Sequence, residues 1–204
     1  MKPLLLIGGG GHCHSCIDVI EATDVYWIEG VVQPKVSSGL VMGYPVIGSD
    51  DELPQLIKGS KLVFITVGQI KSSETRIRLF DLLKNLDAEF PVVVSPRSYC
   101  SKYAVLGEGT IIMHGAIVNA ATKIGINCIV NSQALVEHDA EIGNHCHIST
   151  GARINGNVSI GKGSFVGSGA IIKEGVRVGE NVIIGAGQIV LKDVQNGTVV
   201  GHVN

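Results

Sequence analysis

The chain has 204 residues, 45% of them hydrophobic, and a formal net charge of −2 at pH 7. That size allows one domain or two small ones with ample apolar material for a core. The near-neutral charge argues against an electrostatic nucleic-acid binder, and no uninterrupted apolar run reaches membrane-spanning length. The opening Met1-Lys2-Pro3-Leu4-Leu5-Leu6-Ile7 has too short an apolar segment for a signal peptide. A cytoplasmic protein is therefore expected, with Cys13, Cys16, Cys100, Cys128 and Cys146 as reduced thiols.

Leu4 to Ile7 reads as a buried strand, followed by Gly8-Gly9-Gly10-Gly11-His12 and a helix over roughly Cys13 to Ala22. A strand, a glycine-rich turn and a helix N-terminus present backbone N–H groups and the positive end of a helix dipole to an anion. A nucleotide phosphate is the expected ligand, although Cys13 stands where a dinucleotide fingerprint carries its last glycine. The run His12-Cys13-His14-Ser15-Cys16 lacks a second ligand pair, so no metal is expected there.

A second strand is expected near Trp27 to Val32 and a short extended piece at Tyr44 to Ile47. Ser49-Asp50-Asp51-Glu52 forms a capping box that starts a helix. Leu62 to Val67 reads as another buried strand ending at Gly68-Gln69, and Ser72 or Ser73 caps an amphipathic helix with Ile77, Phe80 and Leu83 on one face. Pro91 to Val94 is expected as the last strand of this small parallel sheet. In such sheets ligands sit at the carboxyl ends of the strands, where Gly10, Gly11, His12, Gln33, Gly68 and Gln69 fall. Ser95-Pro96 marks a boundary between residues 1–95 and 96–204.

From Leu106 to Val190 every sixth residue is aliphatic, and two residues before each stands a mostly small side chain, as at Ala116, Cys128, Ala134 and Cys146. Glycine often follows, as at Gly107, Gly125, Gly143 and Gly161, which suits a turn residue tolerant of positive φ. A period of six fits neither a helix nor a simple strand. It fits a triangular coil of three flat faces, eighteen residues per coil, stacked at about 4.8 Å by strand pairing.

With Val136 inside the prism, His138 lies just past a corner on the outside, and His147, preceding the interior Ile148, also points outward. Neither is expected as a satisfied core residue. Gly156 stacks one coil from His138 and leaves room and a backbone N–H beside it. Ser168 and Ala186 stack likewise as a column of small residues.

The two halves together resemble the sialic-acid O-acetyltransferase type of hexapeptide-repeat sugar acyltransferase, near the UDP-4-amino-sugar N-acetyltransferases. The likeness spans nearly the whole chain. It rests on Gly8-x-Gly10-Gly11-His12, on Val67-Gly68-Gln69 with Arg76, on Val136-Glu137-His138-Asp139, on Cys146-His147-Ile148-Ser149-Thr150-Gly151-Ala152, and on Gly156-Asn157-Val158-x-Ile160-Gly161. The resemblance implies a Rossmann-like α/β nucleotide-sugar-binding domain over 1–95 and a left-handed parallel β-helix acyltransferase domain over 96–204. It implies a homotrimer with active sites between subunits, acetyl-CoA as co-substrate, no metal, and a nucleotide-linked amino sugar as acceptor for bacterial surface glycan or glycoprotein sugars.

His138 matches the family's catalytic base and Asp139 its neighbouring carboxylate; His147 matches a histidine that contacts acetyl-CoA, with Gly156, Ser168 and Ala186 expected along the coenzyme. Either Asp139 or Glu137 could orient the ring, and the family match favours Asp139. Departures from the family are Gln33-Pro34 in place of paired aspartates, the loop Ile70-Lys71-Ser72-Ser73, and the ending Gly201-His202-Val203-Asn204. O-acetylation of a sialic-type sugar is the alternative within the family. A zinc enzyme on the same β-helix, using His114, His138, His145 and His147, and a non-catalytic binding protein are the rival classes.

Overall fold

The computed structural model describes residues 1–34 and 39–201. They form two compact units: Met1–Gly68 with Glu74–Val93, and Gln69–Ser73 with the chain from Val94 onward.

The first unit is an α/β layer. Strands β1 (Lys2–Ile7), β2 (Tyr26–Gln33), β3 (Leu40–Val41), β4 (Tyr44–Ser49) and β5 (Val63–Ile65) lie in the order β3-β4-β2-β1-β5. β2, β1, β5 and β4 run parallel, whereas β3 pairs antiparallel with β4, so the sheet is mixed rather than all parallel. Leu4 to Ile7, Val31, Val32, Val63 and Phe64 are essentially inaccessible, as strands covered on both faces require.

Helix α1 spans Gly11–Ala22, starting two residues before the expected point because Gly10 serves as N-cap. The Ser49–Glu52 capping box is present: the Ser49 N–H donates to Glu52 Oε2 at 2.8 Å ahead of helix α2 (Leu53–Gly59). Helix α3 (Glu74–Asn85) buries Arg76, Leu79, Phe80 and Leu83, with Ile77 only half-buried. The buried face is thus turned by one residue from the expected one, because a guanidinium shares it.

The second unit is a left-handed parallel β-helix of hexapeptide repeats with three faces. Face one carries Tyr99–Cys100, Ile117–Val118, Leu135–Val136, Arg153–Ile154, Ile171–Ile172 and Ile189–Val190. Face two carries Val105–Leu106, Lys123–Ile124, Glu141–Ile142, Ser159–Ile160 and Arg177–Val178. Face three runs from Val93–Val94 through Ile111–Ile112, Ile129–Val130, His147–Ile148, Phe165–Val166 and Ile183–Ile184 to Val199–Val200. Val93–Val94 is therefore the first rung of the coil and not a strand of the head sheet, and the repeat begins two hexads earlier than the periodic aliphatics announce.

Within each face, partners are eighteen residues apart, as Ile117↔Leu135 and Leu135↔Arg153 show. Near the end the spacing shortens to sixteen, with Val178↔Val194 and Ile184↔Val200. The second residue of each rung fills the prism, and the small residue two before it shares the interior. Where that residue is polar it caps a corner carbonyl: Cys128 Sγ reaches Gly143 O and Cys146 Sγ reaches Gly161 O, both at 3.1 Å.

The glycines after the aliphatic positions serve a different end from the one expected. Left-handed φ falls two residues later, on Asn127, Gln133, Asp139, His145, Asn157 and Asn181 among others. Gly161 instead avoids a collision, because a Cβ there would lie 2.5 Å from the Glu180 nitrogen of the next coil. Close backbone approach excludes a side chain at that corner.

Candidate active site

In the head, Gly8 takes φ 110°, and a Cβ on it would lie 2.6 Å from Val67 Cγ2, so only glycine fits both the turn and the neighbour. A Cβ on Gly9 would overlap the Gln33 amide. Gly10 and Gly11 differ, because among the described residues a Cβ at either meets nothing within 4 Å. Gly10 caps α1 with no side-chain hydrogen bond, leaving first-turn N–H groups to an external acceptor. A Cβ on Gly68 would approach His12 Cβ to 3.3 Å. Gly10, Gly11, His12, Gln33 and Gly68 thus gather at the carboxyl ends of β1, β2 and β5. Gln69 belongs to the second unit, where its side-chain Nε2–H donates to Gly163 O.

The loop after β5 is held by Arg76, 1% exposed, whose Nη1 donates to Ile65 O at 3.2 Å and to Val67 O at 2.6 Å. Its position in the chain marks it as a family match, but only the fold shows a buried guanidinium fastening the backbone before Gly68. Burial pushes the thiols of Cys13 and Cys16 up, and Cys13 further raises Cys16 while the Arg76 charge lowers it.

In the β-helix, His138 and Asp139 stand at the corner between faces one and two. The His138 side chain is 64% exposed, and its Nδ1–H donates to Asp139 Oδ2 at 2.8 Å. Asp139 reaches the ring because its φ of 60° turns the chain back at that residue. Glu137 is occupied elsewhere: its Oε2 accepts Asn119 Nδ2–H at 2.8 Å and the His138 backbone N–H at 3.3 Å. With a carboxylate on Nδ1, the ring is held as the Nδ1–H tautomer and Nε2 presents its lone pair.

Gly156 lies directly along the imidazole. A Cβ there would be 2.8 Å from His138 Cε1 and 2.9 Å from Nε2, so glycine is required by the ring and not by a left-handed backbone. Its N–H has no backbone acceptor among the described residues. A cavity of about 300 Å³ opens on face two beside this corner, lined by Asp139, Glu141, Asn157, Ser159 and Arg177 among others.

His147 departs from expectation. It points out of the prism, yet it is 6% exposed and fully satisfied. Its Nδ1–H donates to Gln69 O at 2.7 Å, its Nε2 accepts Asn131 Nδ2–H at 3.2 Å, and its ring packs edge-on against Phe165 at 5.2 Å. The cover comes from Gln69–Ser73, a segment that six-residue periodicity cannot connect to this face.

Ser168 and Ala186 are exposed and stack with Ser132 and Thr150, as the bonds from Gly151 N to Ser132 O, Gly169 N to Thr150 O and Gly187 N to Ser168 O show. They occupy the corner between faces three and one. Within one chain they stand at the opposite edge of face one from His138 and Gly156.

Among the described residues, no group of three or more His, Cys, Asp and Glu is placed to hold a metal ion, and no helix is long and apolar enough to cross a membrane. Residues 202–204 of the divergent tail lie outside the described residues.

Residues 3–83 match the PglD N-terminal domain, residues 121–156 the bacterial transferase hexapeptide, and residues 157–192 the hexapeptide repeat of succinyl-transferase. Among curated protein sequences none matches the chain. Among solved structures, the acetyltransferase domain of PglB from Neisseria gonorrhoeae FA1090 in complex with acetyl coenzyme A is 30% identical. It has a TM-score of 0.91, over 97% of this chain and 95% of that one. PerB from Caulobacter crescentus, in complex with CoA and GDP-perosamine, is 29% identical with a TM-score of 0.89, over 98% and 95% of the two chains. WeeI from Acinetobacter baumannii AYE shares the fold at 24% identity, with a TM-score of 0.85 over 98% and 97%.

Proposed function

The chain belongs to the PglD-type hexapeptide-repeat sugar acetyltransferases, and we propose that it transfers acetyl from acetyl-CoA to the amino group of a 4-amino sugar linked to a nucleoside diphosphate, with His138 as general base. The observation that carries this reading is the His138–Asp139 pair at 2.8 Å with Gly156 against the ring.

Acetyl-CoA supplies an activated acyl group on a thiol leaving group. His138 Nε2 takes the proton that the acceptor nitrogen loses as it attacks, and Asp139 offsets the positive charge that forms on the ring. The Gly156 N–H is the donor for the negative charge that develops on the carbonyl oxygen; such donors are worth about 3–4 kcal/mol where they have been removed from other enzymes. The proton held by His138 then serves the departing thiolate. The Gly10–His12 turn with Gln33 and Gly68 binds the diphosphate and nucleoside. The polar cavity beside Asp139, with Asn157, Ser159 and Arg177, offers a sugar's hydroxyls both donors and acceptors.

The protein acts in the cytoplasm as a homotrimer with its sites between subunits. Face one supports this reading: its outward side chains Tyr99, Ile117 and Ile189 are 58%, 41% and 62% exposed, with Leu135 and Ile171 half-buried on either side of the exposed Arg153. A row that is apolar apart from one arginine calls for a partner. Turning face one of three chains toward a common three-fold axis brings the His138 corner of one chain against the Ser168–Ala186 corner of the next. Base and coenzyme column then meet across the interface.

The test is acetyl-CoA consumption over UDP-, dTDP- and GDP-linked 4-amino sugars beside CMP-sialic and free sialic acids. Turnover confined to a nucleotide-linked amino sugar supports the reading. Turnover only with a sialic-type hydroxyl acceptor replaces it with O-acetylation. Ile171→Glu should shift the native mass from three chains toward one; an unchanged trimer would remove face one as the interface.

A further inference from the structure

We propose that Gln69 is a positioning residue for acetyl transfer, fixing His147 in one neutral tautomer and, through it, the Asn131 amide. The proposal rests on the acetyl-CoA reading above and assigns Gln69 a task other than acceptor recognition.

The geometry forms a directed chain of four polar groups. Gln69 is 3% exposed, and its Nε2–H donates to the Gly163 carbonyl at 3.1 Å. That anchor seats the segment against a residue where nothing larger fits, because a Cβ on Gly163 would come within 2.8 Å of Ser73 Oγ. The Gln69 backbone carbonyl, so held, faces His147 Nδ1 at 2.7 Å. A carbonyl only accepts, so Nδ1 must carry the proton. Nε2 is then an acceptor, and the amide of Asn131 turns its Nδ2 toward it at 3.2 Å. Asn131 Oδ1 meanwhile accepts the Ser132 N–H at 2.8 Å, which removes the alternative flip of the amide.

Two consequences follow. His147 has both ring nitrogens committed, so it cannot share the base's work with His138. Asn131 retains one Nδ2–H without a partner among the described residues, at the corner where Ser132, Thr150, Ser168 and Ala186 stack. A fixed N–H beside that column suits an amide or thioester carbonyl of the coenzyme arm. The buried Gln69 Oε1 has no hydrogen-bond partner, a cost the chain carries where only the Nε2 end of the side chain is used.

The wild-type protein provides a test independent of turnover: two-bond ¹H–¹⁵N correlation spectra, with His147 identified by its loss in His147→Asn. The proposal requires the Nδ1–H pattern for His147; an Nε2–H pattern overturns it even if acetyl transfer is robust. Gln69→Glu is nearly isosteric but cannot donate to Gly163 O, and Gln69→Leu removes the polar end altogether. Both should raise the acetyl-CoA KM at least fivefold and mix the His147 tautomers, with the acceptor KM within twofold of wild type. An unchanged acetyl-CoA KM, or equal losses for both substrates with the His147 spectrum intact, overturns the proposal. If no acceptor is ever acetylated, acetyl-CoA affinity by calorimetry takes the place of KM, which separates failure of this inference from failure of the proposed function.

Discussion

Replacing Asp139 by asparagine separates a site that works in a single exposed chain from one closed between subunits. Asparagine preserves size and tolerates the left-handed φ of 60°, so the backbone should hold. What is lost is the charge accepting His138 Nδ1–H at 2.8 Å. In the isolated chain the two side chains are 64% and 61% exposed, and an exposed pair of this kind contributes at most about 1 kcal/mol, roughly fivefold in rate. In a cleft closed by a neighbouring chain and substrate, unit charges about 4 Å apart interact by about 4 kcal/mol, against about 1 in water. The difference of about 3 kcal/mol corresponds to roughly a hundredfold in rate. Thiol release at saturating acetyl-CoA, with the acceptor varied, should therefore show kcat/KM falling by about 30- to 200-fold at unchanged melting temperature. A loss of fivefold or less would refute the closed, intersubunit environment proposed for the base.

Gly156→Ala should cut kcat by about ten- to a hundredfold while leaving the melting temperature within a few degrees. The new Cβ displaces a half-free imidazole and no backbone, and misplacing a reacting group by about 1 Å can cost that much. At pH 8 a thiol reagent should titrate about one cysteine in the native protein, Cys100, and all five after unfolding, because the other four are buried. Thiols raised in the folded state, Cys13, Cys16 and Cys146, keep their protons where the unfolded chain has lost them. Their stabilising contribution is complete below pH ~9 and erodes above it, which a melting series from pH 7 to 10.5 would register.

The prism was readable from Leu106 to Val190 because each hexad must place one aliphatic residue inside, and the same arithmetic puts His138 outside with Gly156 beneath it. Its first rungs were hidden because Val93–Val94 follows Pro91 and looks like one more strand of the head. The end was hidden because the spacing drops from eighteen to sixteen at Val194. Periodicity tells inside from outside but not exposed from covered, so it points His147 outward without showing that its ring is buried and fully bonded. The segment that buries it joins the chain 78 residues earlier. Arg76 illustrates the same limit, since an amphipathic reading assigns charge to the wet face of a helix, whereas here it fastens two carbonyls of the loop before Gly68. The resemblance favours Asp139 over Glu137, and the left-handed turn at Asp139 that brings its carboxylate to the ring is a feature that only coordinates display.

Single-turnover acetyl transfer to the preferred nucleotide-linked amino sugar, comparing His138→Ala with the parent enzyme, tests the central claim most directly. The rate should fall by about a hundredfold or more while acetyl-CoA still binds with near-parental affinity, since the base is removed and the coenzyme column is untouched. Transfer at close to the parental rate would show that the exposed imidazole at the face-one corner is not the base.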